Sequence, residues 1–352
     1  WFAAPFDIAL LFRYTIAEDP HLKQAGSKCN RKGGRGRMSQ QIKQAKIAVP
    51  GSCNVDLTVF TKVVPRGGET VLGSEFQMNI GGKGTNQATA ARRAGAAVAM
   101  ITRIGGDSLG EFAQAHFRRE GIDTAYVTVT PDTSTGTATI IVDETTAQNR
   151  IIVASGANAD ITPADMQAAK TVIEQADAVL LQSEIDPAAA LAAAKLARQA
   201  GKRCILNPAP ARELPAELIA CADCFTPNET EAEFYTGIAI RTESDAFAAG
   251  KRLLALGADC AVITLGENGA AIITNALQMR IPAPKVKPVD TTGAGDCFNG
   301  VLAVALAEGL DIETAVRRAC AAASCSVMRK GAAASCPERA EIDRMYAAAY
   351  GA

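Results

Sequence analysis

Residues 289–300 read VDTTGAGDCFNG. Asp290 and Asp296 bracket a Thr-Thr-Gly-Ala-Gly turn, and an apolar stretch follows at once. That pattern predicts a glycine turn opening a helix. A helix N-terminus presents free N–H groups and about half a positive charge, so it suits an anion. The two aspartates offer the opposite chemistry, because a carboxylate accepts hydrogen bonds, protons or cations. A second turn, NIGGKGTN (79–86), opens another predicted helix and carries Gly82, Lys83 and Asn86. Neither turn is a P-loop, since Lys83 is followed by Gly84 rather than Ser or Thr, and neither keeps the third glycine of a dinucleotide fingerprint. Each turn alone reads equally well as a ligand-free strand-to-helix connection.

Other polar residues stand where strands are predicted to end. GSCNVD carries Asn54 and Asp56, and LLQSE ends on Glu184. LNPAPARE carries Asn207, TPNETEAE carries Asn228, Glu229 and Glu231, and ITLGENG carries Thr264 and Gly266. Singly, each reads as a helix cap or a solvated loop residue. Strand C-termini of a doubly wound sheet share one edge, where ligands bind, so the set together predicts a site.

The elements that must position these residues follow from periodicity. KIAV reads as a short buried strand, and LTVF and ETVLGSEFQM alternate as half-exposed strands. A helix runs from the first glycine turn to Gly95, then come strand AVAMITRIG and helix 107–120. AYVTVT, GTATIIVD and NRIIVAS add alternating strands. After Gly156, helices at 162–175, 187–200, from about Asn228, and 242–256 alternate with strands AVLLQSE, RCILNPA, CFTPN and CAVITLG. A hairpin is predicted at 269–282, and consecutive helices near 294–308 and 311–328. Such αβ alternation, with β-rich insertions near the front, predicts a three-layer, doubly wound α/β fold. Its sheet is mainly parallel and flanked by helices, with a small antiparallel sheet.

Bulk properties exclude several function classes. The 352 residues are 48% hydrophobic and 21% charged, with a net charge of −1. No global field recruits nucleic acid or an acidic membrane, and no apolar run approaches the ~18 residues of a membrane span. The reading is a cytoplasmic protein without a membrane or nucleic-acid partner. Ten cysteines in so long a chain are read as small hydrophobes, Cys204, Cys260 and Cys325 among them. Cys221 and Cys224 form a C-x-x-C with no second pair, which argues against structural zinc. With only His21 and His116 present, acid–base chemistry falls to carboxylates. Residues 1–37 differ from the rest, holding 7 Lys+Arg against 3 Asp+Glu. They read as a basic arm or, preferred, as a disordered or non-native extension ahead of a natural start at Met38.

NIGGKGTN, NPAPARELP, TPNETEAE, ITLGENG, DTTGAGDCFNG and RKGA occur in an order that resembles the ribokinase-type, or phosphofructokinase-B-type, family of carbohydrate kinases. The resemblance runs from about Lys46 to the C-terminus. It implies a ribokinase-like kinase domain over 46–352 after an extension over 1–45, with lid strands from about 57–78 and 124–153. It implies ATP-dependent phosphorylation of a pentose, D-ribose at its 5-hydroxyl first, with deoxyribose, another sugar or a nucleoside as the alternative. A non-catalytic sugar-binding module ranks below these.

On the same resemblance, Asn54, Asp56, Gly82, Lys83, Asn86 and Glu184 would hold the sugar, with Asp296 as base. Asn228 and Glu231 would act on hydrated Mg2+ and the phosphates. Asn207, Thr264 and Gly266 would lie along ATP. Cys320 stands where a histidine often lines the adenine pocket. Asp290 and Thr292, with backbone groups near Arg329–Ser335, would form a monovalent-cation site for K+, and the lid would build a homodimer. The N–H groups of Gly293, Ala294 and Gly295 would form an anion hole for the transferring phosphoryl group. A weakly basic Asp296 suffices, because the attacking hydroxyl keeps its proton until late in a loose transition state.

Overall fold

The computed structural model describes residues 44–146 and 148–351. The extension expected over 1–45 lies outside them, apart from its last two residues, which belong to the body. Ala45 is buried and its carbonyl accepts from the Ala97 N–H at 2.8 Å. Gln44 Nε2 donates to the Gly95 carbonyl at 2.9 Å.

Thirteen strands are described: β1 (Lys46–Pro50), β2 (Asn54–Thr61), β3 (Glu75–Gly81), β4 (Ala97–Gly105), β5 (Asp123–Thr130), β6 (Gly136–Asp143), β7 (Asn149–Ala154), β8 (Ala178–Gln182), β9 (Arg203–Asn207), β10 (Cys224–Phe225), β11 (Ala261–Thr264), β12 (Ala270–Ile273) and β13 (Gln278–Ile281). The helices are α1 (Lys83–Arg93), α2 (Ser108–Glu120), α3 (Pro163–Ala168), α4 (Lys170–Gln175), α5 (Pro187–Gln199), α6 (Ala216–Ile219), α7 (Glu229–Thr236), α8 (Glu243–Ala255), α9 (Ala294–Ala307), α10 (Ile312–Ser326) and α11 (Arg339–Tyr350).

Nine strands form one sheet in the order β13-β12-β11-β10-β9-β8-β1-β4-β5. Only β12 and β13 run antiparallel to their neighbours. Strands covered on both faces need apolar side chains on both. In β8, accordingly, Val179 and Leu181 enter one core while Ala178 and Leu180 enter the other. Helices α5 and α8 cover the face of Val179 and Leu181, and α1, α9 and α10 cover the face of Ala178 and Leu180. Alanines along α5 (Ala189, Ala190, Ala193, Ala194 and Ala197) are all buried, which lets that helix lie close to the sheet. Among the described residues, no helix is long and apolar enough to cross a membrane.

The smaller sheet has the order β3-β2-β6-β7. Its outer pairs are antiparallel, while the central pair β2–β6 is parallel. Alternation reads AYVTVT as a strand, and the resemblance puts it in this lid. The structure instead pairs β5 with β4, at the edge of the large sheet. Alternation reports only that one face is solvated, and an edge strand shares that property. The strand expected from Glu69 begins only at Glu75. The helix expected over 162–175 is two helices meeting at Ala169, with no Gly or Pro at the break.

Candidate active site

The C-terminal ends of β1, β8, β9, β10 and β11 and the N-termini of α1 and α9 bring the predicted polar residues to one edge of the large sheet. The two glycine turns place them. Gly82 caps α1 at φ 83, and a Cβ there would stand 2.8 Å from the Asn54 backbone N. Gly293 caps α9 at φ 74, and a Cβ there would meet Ala332 at 2.8 Å. Both turns therefore require glycine for shape as well as for space.

Asp296 is buried in the first turn of α9. Its Oδ2 accepts from Asn86 Nδ2 at 2.9 Å, and its Oδ1 accepts from Gln87 Nε2 at 3.0 Å. Both donors come from the first turns of α1, so the helix that opens one glycine turn aims the carboxylate that ends the other. Gln87 Nε2 also donates to Asn207 Oδ1 at 3.0 Å, and Gln87 Oε1 accepts from Gln182 Nε2 at 2.8 Å. Asn207 Nδ2 donates to the Thr226 carbonyl at 2.8 Å. The Thr226 hydroxyl donates to Asn299 Oδ1 at 2.5 Å, and Asn299 Nδ2 returns to the Gly295 carbonyl at 2.8 Å. A closed set of buried amides thus frames Asp296. Asn207, expected along ATP, has both ends of its side chain engaged within this set.

Gln87, Gln182, Thr226 and Asn299 were not singled out from the sequence. Gln87 follows Asn86 directly and Gln182 closes a buried strand. A buried glutamine next to a glycine turn was the available signal.

Asp56 on β2 lies against Gly81, where a Cβ would stand 2.3 Å from its carboxylate. Burial, then the charges of Glu184 and Asp296, push the Asp56 carboxyl up to about 6. Asn54 Oδ1 accepts from Asn158 Nδ2 at 2.7 Å, and Asn158 also holds the Cys53 N–H at 2.8 Å. Glu184 Oε2 accepts from the Lys83 N–H at 2.8 Å and from the Ser52 hydroxyl at 2.5 Å. Glu184 therefore caps α1, a duty the sequence did not show. The Lys83 ammonium is held above its ordinary range, chiefly by Asp296, then by Glu184 and Glu231 against the opposing effect of burial. Asp296, Glu184 and Glu231 thus act on one ammonium, and Asp56 stands near the first two. Asn86 Oδ1 is a buried acceptor with no protein partner among the described residues.

Asn228 and Glu231 form a capping box at α7. Asn228 Oδ1 accepts from the Glu231 N–H at 2.8 Å, and Glu231 Oε2 accepts from the Asn228 N–H at 2.9 Å. Burial raises the Glu231 carboxyl, and the Asn228 N–H and Lys83 only partly offset it. Thr264 bridges to Asn228 as a parallel neighbour, and its N–H donates to the Pro227 carbonyl at 2.9 Å. Gly266 follows with φ 52 and open space around it.

At the α9 turn, Ala294 donates its N–H to the Thr291 carbonyl at 3.2 Å, so that donor is partly spent. Gly295 is exposed, with nothing within 4 Å of where a Cβ would stand.

Asp290 ties two loops together. Its Oδ1 accepts from the Thr292 N–H and its Oδ2 from the Gly331 N–H, each at 2.9 Å. Burial would raise its carboxyl, but these donors outweigh that and hold it below its ordinary value. The Arg329 side chain turns away to pair with Glu341. Ser335 is buried, and its hydroxyl donates to the Ala332 carbonyl at 2.9 Å.

Cys320 stands on the buried face of α10, 3% exposed and against Tyr350 of α11, and burial pushes its thiol up to about 12. Helix α11 itself was not expected. Its signal was Pro337 followed by Glu338 and Glu341, which form a capping box.

A profile of the pfkB family of carbohydrate kinases matches residues 44–339. The chain is 43% identical over 299 residues to ribokinase of Bacillus subtilis, covering 85% of this chain and 98% of that protein. It is 39% identical over 315 residues to mouse ribokinase, covering 88% and 97%. Among solved structures, Arabidopsis thaliana ribokinase complexed with ribose and ATP superposes with a TM-score of 0.80 at 31% identity, covering 86% of this chain and 99% of that one.

Proposed function

The chain belongs to the pfkB family of carbohydrate kinases, and on that premise we propose that it transfers the γ-phosphoryl group of ATP to the 5-hydroxyl of D-ribose. One observation carries the reading. Asp296 sits buried at the N-terminus of α9 with both carboxylate oxygens fixed by α1 side chains, beside an exposed glycine turn where a phosphate can approach.

In this reading Asp296 accepts the proton of the attacking hydroxyl late in the transfer. Asp56 accepts from two sugar hydroxyls, and Asn54, Lys83, Asn86 and Glu184 bond the rest. The unpartnered Asn86 Oδ1 suits a hydroxyl donor. A site built this way rejects sugars lacking a bonded hydroxyl, because its own buried groups are then stranded. The backbone N–H groups of Gly293 and Gly295 meet the phosphoryl oxygens, and Ala294 joins them if its bond to Thr291 opens. Thr264 and Gly266 border the nucleotide, and Asn207 acts from behind by holding Gln87.

Mg2+ and K+ fit in different ways. Among the described residues no three His, Cys, Asp or Glu side chains gather to grip a metal. Mg2+ would therefore enter with the nucleotide and meet Glu231 through water, where it would offset charge on the phosphates. Asp290 and Thr292, with backbone oxygens of 329–335, would hold K+, since Asp290 already ties these two loops together. One face of the small sheet exposes Phe76, Met78 and Ile152, with Ile152 68% exposed. A second copy of the chain covering this patch would give the homodimer.

ADP release measured across ribose, 2-deoxyribose, hexoses and nucleosides, in potassium and in sodium buffers, tests the proposal. Ribose should give the highest kcat/KM, with activation by potassium. A preference for 2-deoxyribose or a nucleoside would move the substrate, and absence of ADP release with every sugar would end the reading.

A further inference from the structure

The C-x-x-C motif divides between the two faces of the large sheet. Cys224 enters the core under α9 and α10, whereas Cys221 packs against the opposite core. Its real neighbour lies on the next strand. Phe225 pairs with Ala261 across the parallel β10–β11 step, and the Phe225 N–H donates to the Cys260 carbonyl at 2.9 Å. One residue earlier, Cys224 and Cys260 stand side by side and point to the same face. Neighbouring strands lie about 4.8 Å apart, within the roughly 4.4–6.8 Å between Cα atoms that a disulfide spans. Contact with the Cys260 thiol, then burial, holds the Cys224 thiol well above the ordinary thiol range. Both are free thiols.

Both also line one cavity of about 270 Å3. It lies at the sheet edge opposite the kinase site, where the parallel strands begin. Arg203, Asp223 and Asp311 stand around it. Cys260 is 9% exposed and Cys224 2%. The cavity is small for a drug-sized ligand but gives room beside the thiols for a small leaving group.

The geometry points to a redox-active dithiol site: Cys224 and Cys260 close to an intramolecular disulfide by exchange with a low-molecular-weight disulfide carrying cationic ends. The Cys260 thiolate attacks one sulfur of the incoming disulfide, whose S–S bond breaks, and one small thiolate leaves with the proton that Cys260 gave up. The Cys224 thiolate then attacks the Cys260 sulfur and expels the second small thiol, which takes the Cys224 proton. The dithiol loses two electrons and two protons, and the incoming disulfide is reduced to two thiols. Exposure sets the order of attack. The second step is intramolecular, so proximity offsets the low thiolate fraction of Cys224. Asp223 and Asp311 outnumber Arg203 around the cavity, and that balance favours a cationic reagent.

Cystamine on the full, folded chain tests this, followed by alkylation of remaining thiols and peptide mapping. The expected product is a Cys224–Cys260 crosslink that dithiothreitol reverses, with near-complete loss of alkylation at both positions. Cys221, half-buried on the other face, serves as the unpartnered control and should stop at a mixed disulfide. Cys224→Ala should trap a mixed disulfide on Cys260, and Cys260→Ala should leave Cys224 free. The proposal is overturned if both wild-type thiols remain alkylatable while Cys221 is modified. It is equally overturned if wild-type Cys260 stops at the mixed disulfide. The wild-type map decides the matter even if a variant folds poorly.

Discussion

Gln87 and Asp296 are joined by a single hydrogen bond of 3.0 Å that links the starts of α1 and α9. Gln87 Nε2 spends its second proton on Asn207 at the same distance. The amide is therefore fixed from two sides, and it fixes the carboxylate in turn. Gln87→Leu should remove this restraint while leaving Asn86 in place. Because Gln87 lies behind Asp296, kcat should fall about 10-fold with the sugar KM little changed, the split expected when only transition-state alignment is lost. Steady-state kinetics reads this directly, and Gln87→Asn should not rescue it, since the shorter amide cannot span both acceptors. A matching rise in KM would mean that Gln87 serves sugar binding instead.

Asp296→Asn removes the proton acceptor and keeps shape, but it sets an NH2 against one of the two amide donors, Asn86 or Gln87, that the carboxylate accepts from. A positioned base contributes typically about 10²–10⁴-fold, so kcat should fall within that range. Sugar affinity, measured by calorimetry, should weaken only modestly. A near-normal kcat would remove Asp296 from its assigned role.

Much of this site was legible because it depends on residue types that only special backbone or special chemistry demands. Gly82 and Gly293 stand at positive φ, and Asp56, Lys83 and Asp296 have no bland reason to share an edge. What stayed hidden is the packing behind them. Gln87 and Gln182 look like ordinary helix and strand residues until the fold sets them against Asp296 and Asn207. Asn158 lies 104 residues from Asn54, and no local pattern encodes that contact. Segment β5 misled because an edge strand and a lid strand alternate alike.

Asp56 couples function to stability. Its carboxyl titrates near 6 in the folded chain against an ordinary 3.8. Between those values the folded state binds the proton better than the unfolded one. This contribution is complete below about 3.8 and is lost as pH rises through about 6, at an order of about 3 kcal/mol. His116 works in the opposite direction. Burial lowers it to about 4 from 6.5, so its contribution is present above 6.5 and lost as pH falls toward 4. Asp56→Asn should therefore raise the Tm of the ligand-free protein near pH 7 by roughly 2–6 °C. It should also make Tm climb more steeply between pH 4 and 6 than in the wild type, since the opposing Asp56 effect is gone while that of His116 stays. The same variant should lose sugar binding. In the wild type, kcat/KM for the sugar should decline below about pH 6 as Asp56 takes up its proton. A Tm that falls in Asp56→Asn at pH 7 would contradict the strain assigned to this carboxylate.

The two outer glycines of the α9 turn separate shape from chemistry. Gly293→Ala meets Ala332 at 2.8 Å and forces a side chain onto φ 74. It should cost about 1–3 kcal/mol and lower Tm along with activity. Gly295→Ala meets nothing within 4 Å and has no positive φ. In a helix, Ala is favoured over Gly by up to about 1 kcal/mol, so the Tm of Gly295→Ala should stay level or rise. Its methyl group nevertheless projects from the first turn, where a phosphoryl oxygen must approach the backbone. The variant should therefore keep its fold and sugar affinity while kcat/KM for ATP falls, by about 10-fold or more if one anion-hole contact is lost. Differential scanning fluorimetry beside ATP-dependent initial rates distinguishes the outcomes. A Gly295→Ala protein with wild-type ATP kinetics would show that phosphate does not pack against this turn, and the anion hole would have to be sought elsewhere along the edge.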